Sequence, residues 1–427
     1  METPALLGCT LALGGTRMLQ LYSSLGRRVL PFRTVVPGEV RMYVCGVTPY
    51  DVTHLGHAFS YVQFDALRRY LIALGYRVRY VQNVTDIDDD MIAVSRRTGR
   101  PIAEIRDEND RLFRRDLDDL NVLRPAAYPF ATDHIPQIID ATAQLLDRGF
   151  AYEVEGDVFF SVERFPRYGE LNAASLEELA RRENPEAKFA AKRRHPLDFV
   201  LWQHTEPGEP SWPSPWGPGR PGWSIECTVM SITHLGEQID IHGGGRDLIF
   251  PHHENEIAQA EALTGRSPFC TFWLHNGMLR LDGVKMSKSL GNLVLVRNLL
   301  QRVPPAQLRL YLLSSHYRSD PDFRRGDLER LEERYRRLRV AVGEAVVPGW
   351  PSAADLPRAV REALDDDFDV PRALDILDDL AARVVAGTAG TDERAGICAG
   401  LAVLGFDFAG APGPATGWFE PEPADPK

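Results

Sequence analysis

His54-Leu55-Gly56-His57 spaces two imidazoles three residues apart, one turn of a helix. At a helix start, free backbone N–H groups and the positive end of the dipole suit phosphate oxygens. Gly56 allows a flat nucleotide close to the backbone, and both imidazoles can donate to a phosphate in its transition state. Alone, the tetrapeptide reads equally well as two surface histidines at a helix start. Lys285-Met286-Ser287-Lys288-Ser289 sits between Gly283 and Gly291. Two lysines three apart on a glycine-bounded segment can close over a polyphosphate and let it go. Alone, that segment is also an ordinary solvated basic loop. Both motifs in this order, on either side of an α/β insertion, are far more specific than either one.

His242-Gly243-Gly244-Gly245-Arg246-Asp247 follows a strand-like run, and ligands of parallel sheets bind beyond the carboxyl ends of strands. The acidic run Asp86 to Asp90 lacks a calcium-loop spacing and reads as a helix start.

These residues need elements to hold them. "VRMYVCG", "THLGHAFSYVQFDALRRYLIALGY" and "RVRYVQNVT" read as strand, helix and strand, with Thr53 as the helix N-cap. Such a βαβ unit predicts a parallel sheet. Residues 18–95 form the first half of a Rossmann-type domain, and residues 96–222 an insertion with helices, a strand pair near "AYEVEGDVFFSV" and a basic run, "ARRENPEAKFAAKRRHP". The Pro-, Gly- and Trp-rich "EPGEPSWPSPWGPGRPGW" is an ordered loop or turn series. Residues 223–321 return to alternating strands and helices. "QIDIHGGGRDLIF" reads as a strand ending in a glycine loop, and "HHENEIAQAEALTG" as a helix stopped by Gly265. Residues 322–408 read as purely helical, a small bundle. Residues 1–17 read as a flexible tail and 409–427 as a disordered one. The class is α/β, a parallel sheet split by an insertion and followed by a helical bundle.

Composition excludes several alternatives. At 427 residues, 44% hydrophobic and 26% charged, the chain describes a multidomain globular protein. No apolar run is long enough to span a bilayer. The net charge of -11 gives no global attraction to nucleic acid. Five scattered cysteines argue against a disulfide framework and for a reducing compartment.

Beyond the two motifs, "MYVCG", "YVQNVTDIDDDM", "PLDFVLW", "GEPSWPSPWGPGRPGW", "IDIHGGGRDLIFPHHENEIAQ" and "KMSKSLGN" resemble the cysteinyl-tRNA synthetase family of class I aminoacyl-tRNA synthetases, over residues 18–375. The resemblance implies a class I Rossmann-type fold and ATP-dependent activation of L-cysteine, with Mg2+. His54, His57, Lys285 and Lys288 would act on the phosphates. The resemblance also implies a Zn2+ site of Cys45, Cys227, His252 and Glu256. Those residue types are normal zinc ligands, and His252 and Glu256, four apart on a helix, face the same way. Cys45 and Cys227 read equally well as buried structural cysteines, and His253 is a rival ligand. By the same resemblance Trp223 closes the cysteine pocket, though plain core packing serves as well. Gly243, Gly244, Gly245 and Asp247 hold the adenosine, and Gly46, Thr48, Thr85, Ser287 and Ser289 add substrate contacts. Zinc favours a thiolate over a hydroxyl, so cysteine is separated from serine without an editing site.

Two acceptors stay open. The helical bundle runs into a Pro/Gly-rich end where the synthetase family usually carries an anticodon module. "GVTPYDVTHLGHA" and "GNLVLV" are similar to a sister family, the mycothiol cysteine ligases, which join cysteine to glucosaminyl-inositol. "HHENEIAQ", "HPLDFVLW", "LHNG" and "DDDFDVP" are synthetase phrases, which puts tRNA(Cys) first. The basic run of the insertion either meets an acceptor-stem backbone or is solvated surface. A non-catalytic paralogue that only binds cysteine or adenylate is a third reading, opposed by the intact motifs. The expected setting is a cytoplasmic monomer without a membrane partner.

Overall fold

The computed structural model describes residues 18–182, 187–286, 292–324, 326–343 and 349–408. Both expected tails, 1–17 and 409–427, and Ser287, Lys288 and Ser289 lie outside the described residues.

The central sheet has four parallel strands in the order Cys270–Asn276, Ile239–Gly245, Glu39–Val47, Arg77–Val84. The second half of the chain therefore adds its strands on the open side of the first. Met42, Tyr43 and Val44 pair with Ile241, His242 and Gly243. This join is the switch point of the strand order, where a crevice opens beyond the carboxyl ends of the strands. The α/β class with a split parallel sheet, expected from the sequence, is what the chain forms.

Helix Leu55–Ala73 packs on one face of the sheet and is buried nearly all round. Its residues share one continuous apolar cluster with Leu308, Leu312, Leu374, Leu377 and Leu401 of the C-terminal helices. The other face packs on helices Trp223–Leu235 and Glu254–Thr264 and on the insertion. The insertion carries an antiparallel sheet of Ala151–Val154, Asp157–Phe160, Phe199–His204 and Gly219–Pro221. The Pro- and Trp-rich stretch is ordered around that last edge strand, with Trp212 bridged to Gly219.

Three local readings change. Thr53 does not cap the helix. The N-cap is His54, whose side chain accepts from the N–H groups of Gly56 and His57. The three glycines after His242 are not a loop but the last residues of strand Ile239–Gly245. Asp322–Phe323, read as helical, pairs as a short strand with Arg280–Leu281, which also pairs with Val284–Lys285. Two residues are too few to carry a period. The helices that follow include Glu332–Val342, Arg358–Leu364, Val370–Val385 and Thr391–Val403.

Candidate active site and metal centre

Cys45 lies near the carboxyl end of strand Glu39–Val47 and is buried. Its Sγ lies 4.0 Å from Cys227 Sγ, 3.7 Å from His252 Nε2, 3.3 Å from His253 Nε2 and 3.8 Å from Glu256 Oε1. His252 Nε2 is 3.2 Å from Glu256 Oε1. A tetrahedral zinc, with sulfur at about 2.3 Å and nitrogen or oxygen at about 2.0–2.2 Å, sets donor-to-donor edges of roughly 3.3–3.8 Å. The set fits that ion in chemistry, and Cys45, His252, His253 and Glu256 fit it in spacing. The ligand atoms of Cys45, His252, His253 and Glu256 all lie within 4.8 Å of one another, and Cys227 stands beside them. The rivalry of His253 with its neighbours is thus present in space.

A chain of partners supports the cluster. His242 Nε2 lies 2.9 Å from Glu256 Oε2. His253 Nδ1 is 2.7 Å from His275 Nε2, and His275 Nδ1 is 2.7 Å from Ser24 Oγ. Such contacts orient metal ligands and fix their tautomers. Burial pushes the Cys45 thiol and the Glu256 carboxyl upward, while Cys227, accepting from Cys45, is drawn down. Burial also lowers His252 and His253 and holds His275 at about 3. Burial thus favours neutral imidazoles, and a bound cation would draw protons from the thiols. Trp223 stacks on His252 at 4.1 Å between ring centres and is 44% exposed, so it stands at a mouth rather than in the core. Sequence reasoning missed His242 and His275. Both sit in motifs read for another purpose or for family likeness, "HGGG" and "LHNG".

From Cys45, an open cleft of about 910 Å³ reaches past His54 and His57 on one side and Gly244, Gly245 and Asp247 on the other, to Lys285. His54 and His57 stack at 3.6 Å between ring centres. His54 Nδ1 accepts from Gly56 N at 3.1 Å and His57 N at 3.3 Å. Backbone amides can only donate, so a neutral His54 carries its proton on Nε2, the tautomer that serves an oxyanion. Gly46 lines the cleft, and a Cβ there would fall 1.5 Å from the Asn83 carbonyl oxygen. Lys285 is exposed on its short hairpin. Gly243 lies under the Phe64 ring. Thr85 is buried behind the first strand and accepts from Asn83 Nδ2, and Thr48 bonds Asp88, so both stand apart from the cleft wall. Asp88 caps helix Asp89–Thr98, the structural role read for the acidic run. In the basic run, Lys188 pairs with Asp89 and Lys192 with Asp157 and Glu155.

The fold and the cleft define a class I aminoacyl-tRNA synthetase. A methionyl-tRNA synthetase of Mycobacterium tuberculosis, solved with methionyl-adenylate, superposes with a TM-score of 0.62 at 17% identity, covering 86% of this chain and 88% of that one. The family described as tRNA synthetases class I (C) catalytic domain matches residues 31–333. A cysteine--tRNA ligase of Moorella thermoacetica is 48% identical over 87% of this chain and 82% of its own length. Another, of Legionella pneumophila, is 47% identical over 86% and 80%. The chain belongs to the cysteine--tRNA ligase family.

Proposed function

We propose that the protein joins L-cysteine to AMP at the expense of ATP and passes the cysteinyl group to tRNA(Cys). The observation that carries this reading is one cleft that begins at Cys45, a member of the thiol, imidazole and carboxylate cluster, and runs past His54 and His57 to Lys285.

Cys45, Cys227, His252 and Glu256 would hold Zn2+, which supplies a soft Lewis acid for the substrate thiol and so favours cysteine over serine. Trp223 covers that end. Gly243 to Gly245 and Asp247 take the adenosine, and Gly46 lets the α-phosphate approach the backbone. Thr48 and Thr85 serve from behind, by setting the loop and the first strand. The cysteine carboxylate attacks the α-phosphorus, and pyrophosphate, with Mg2+, leaves. His54 Nε2–H and His57 donate to the charge that develops. Lys285 and Lys288, with Ser287 and Ser289, neutralise the leaving pyrophosphate. A ribose hydroxyl of the tRNA then attacks the cysteinyl carbonyl and releases AMP. Thiolate ligands and a free cysteine substrate go with a reducing, cytoplasmic setting, and the reading takes the protein as a monomer.

The test gives the zinc-loaded protein ATP and labelled cysteine, with total tRNA in one tube and glucosaminyl-inositol in another. Label on tRNA is the expected result. Label on the amino sugar alone would move the acceptor to the mycothiol branch. No cysteine-driven exchange of pyrophosphate into ATP would leave only a binding paralogue.

A further inference from the structure

Asp367 and Phe368 both adopt a left-handed backbone, each with φ of 53°. Aspartate enters that region more readily than most residues, but a bulky aromatic does not, and such strain persists only where the surroundings over-determine it. Asp367 is 7% exposed, and its carboxylate gathers four donors. Tyr22 N and Tyr317 Oη each donate to Oδ1 at 2.8 Å. Arg318 Nε donates to Oδ2 at 2.8 Å, and Arg318 Nη2 bonds the same oxygen. The Asp367 carbonyl accepts from His316 Nε2 at 2.9 Å. One strained turn ahead of helix Val370–Val385 therefore grips residues 316–318 on three sides.

The gripped segment forms part of the cleft's support. Tyr317 O accepts from Gly277 N at 2.8 Å, and Ser319 O lies where a Gly277 Cβ would stand, 1.7 Å away. Asp320 accepts from Met278 N at 2.9 Å and pairs with Arg246 at 3.0 Å, while Arg318 O accepts from Arg246 Nη2. Gly277 and Met278 line the cleft just beyond Asn276, the strand partner of Gly245, and Arg246 lies between Gly245 and Asp247, which line it too. The segment thus ties the carboxyl ends of two neighbouring strands, in the nucleotide half of the cleft, to the turn at Asp367. The cysteine end is held by His242 and His275 rather than by residues 316–320, and its one link to this turn is His275 on Ser24, two residues beyond the Tyr22 amide that Asp367 accepts from.

We propose that Asp367 is a positioning residue for the nucleotide half of the cleft, acting through Arg318 and the segment to Asp320. The inference rests on the ATP reading above and adds to it a specific dependence of nucleotide binding on the helical bundle. It is tested by cysteine-dependent pyrophosphate exchange with the zinc-loaded full chain, with KM for ATP and for cysteine measured separately. Asp367→Asn keeps the size and tolerates the left-handed backbone but loses the charge. It raises KM for ATP by about tenfold or more, in line with small displacements transmitted to a site, and leaves KM for cysteine within about twofold. Arg318→Gln does the same, and the double variant is no worse than the worse single. If Asp367→Asn does not fold, Asp367→Gly relieves the backbone and still deletes the carboxylate, with the same ATP-specific rise expected. Constants for ATP and cysteine that rise together, or an unmoved KM for ATP, would overturn the positioning role. Wild-type protein without exchange would overturn the activity reading instead, so the two failures are distinguishable.

Discussion

Two of the buried polar clusters among the described residues are built in opposite ways. Asp65, Arg69 and Arg309 lie together between helix Leu55–Ala73 and the C-terminal helices. Asp65 accepts from Arg69 Nε at 2.8 Å, from Leu123 N at 2.8 Å and from Arg309. Arg309 also donates to the carbonyls of Leu404 at 2.8 Å and Leu120 at 2.9 Å. No buried nitrogen or oxygen of these three side chains lacks a partner. Burial works to raise the Asp65 carboxyl, but the two guanidinium groups outweigh it and hold it below its ordinary value. In the cluster around Cys45, the Nδ1 atoms of His242 and His252 and both carboxylate oxygens of neighbouring Glu226 have no protein partner. Burial pushes Glu226 well above its ordinary range. Buried polar groups are normally satisfied. A satisfied network is a joint in the fold. A protein interior that gathers thiols, imidazoles and a carboxylate, with further buried polar atoms around them left without a protein partner, is one prepared for a ligand.

The comparison breaks if the two clusters respond alike. Cys45→Ala lowers cysteine-dependent exchange by more than the roughly 10–100-fold that loss of a supporting partner costs, and bound zinc falls with it. Its unfolding curve with metal removed stays close to wild type. Unchanged zinc content would refute the ligand role. Arg309→Met leaves Asp65 buried with Arg69 as its remaining guanidinium partner, and denaturant unfolding reads a loss of about 3–5 kcal/mol from breaking the buried pair. The fraction still folded keeps its KM for cysteine. Loss below about 1 kcal/mol would mean the joint is not structural. His242→Phe keeps the stack on Trp273 but deletes the partner of Glu256. Zinc affinity falls about 10–100-fold, less than in Cys45→Ala, and equal losses would remove the distinction between ligand and support. The smallest effect is acid sensitivity. Asp65 has a depressed folded value, so its contribution is present above the unfolded value of about 3.9 and is lost as pH falls through the folded one. Asp65→Asn flattens the acid limb of stability below about pH 4 relative to wild type. A parallel limb in the two proteins would contradict the assignment.

The strand, helix and strand of residues 39–84 were legible because their apolar spacing matches the elements they form. The cap was not, because Thr53 obeys the usual preference while His54 reaches the amides with its ring. The glycine run was read as a loop because glycine usually punctuates. Here Gly243 and Gly244 stay in the strand under Phe64 and His253, where larger residues would not fit. Cys45, Cys227, His252 and Glu256 came from family likeness, since their spacing along the chain carries no ligand signal. His275 and His242 reach the cluster only across neighbouring strands. Nothing along the sequence marks Arg309 and Arg69 as buried, because only the closed fold brings them to Asp65.

The most direct measurement is a titration of the metal-free protein with Co2+, followed by absorption. The account predicts one equivalent bound with intense thiolate-to-metal and tetrahedral bands, changed by added cysteine and lost in Cys45→Ala. Weak octahedral bands only, or an identical spectrum in Cys45→Ala, would contradict it.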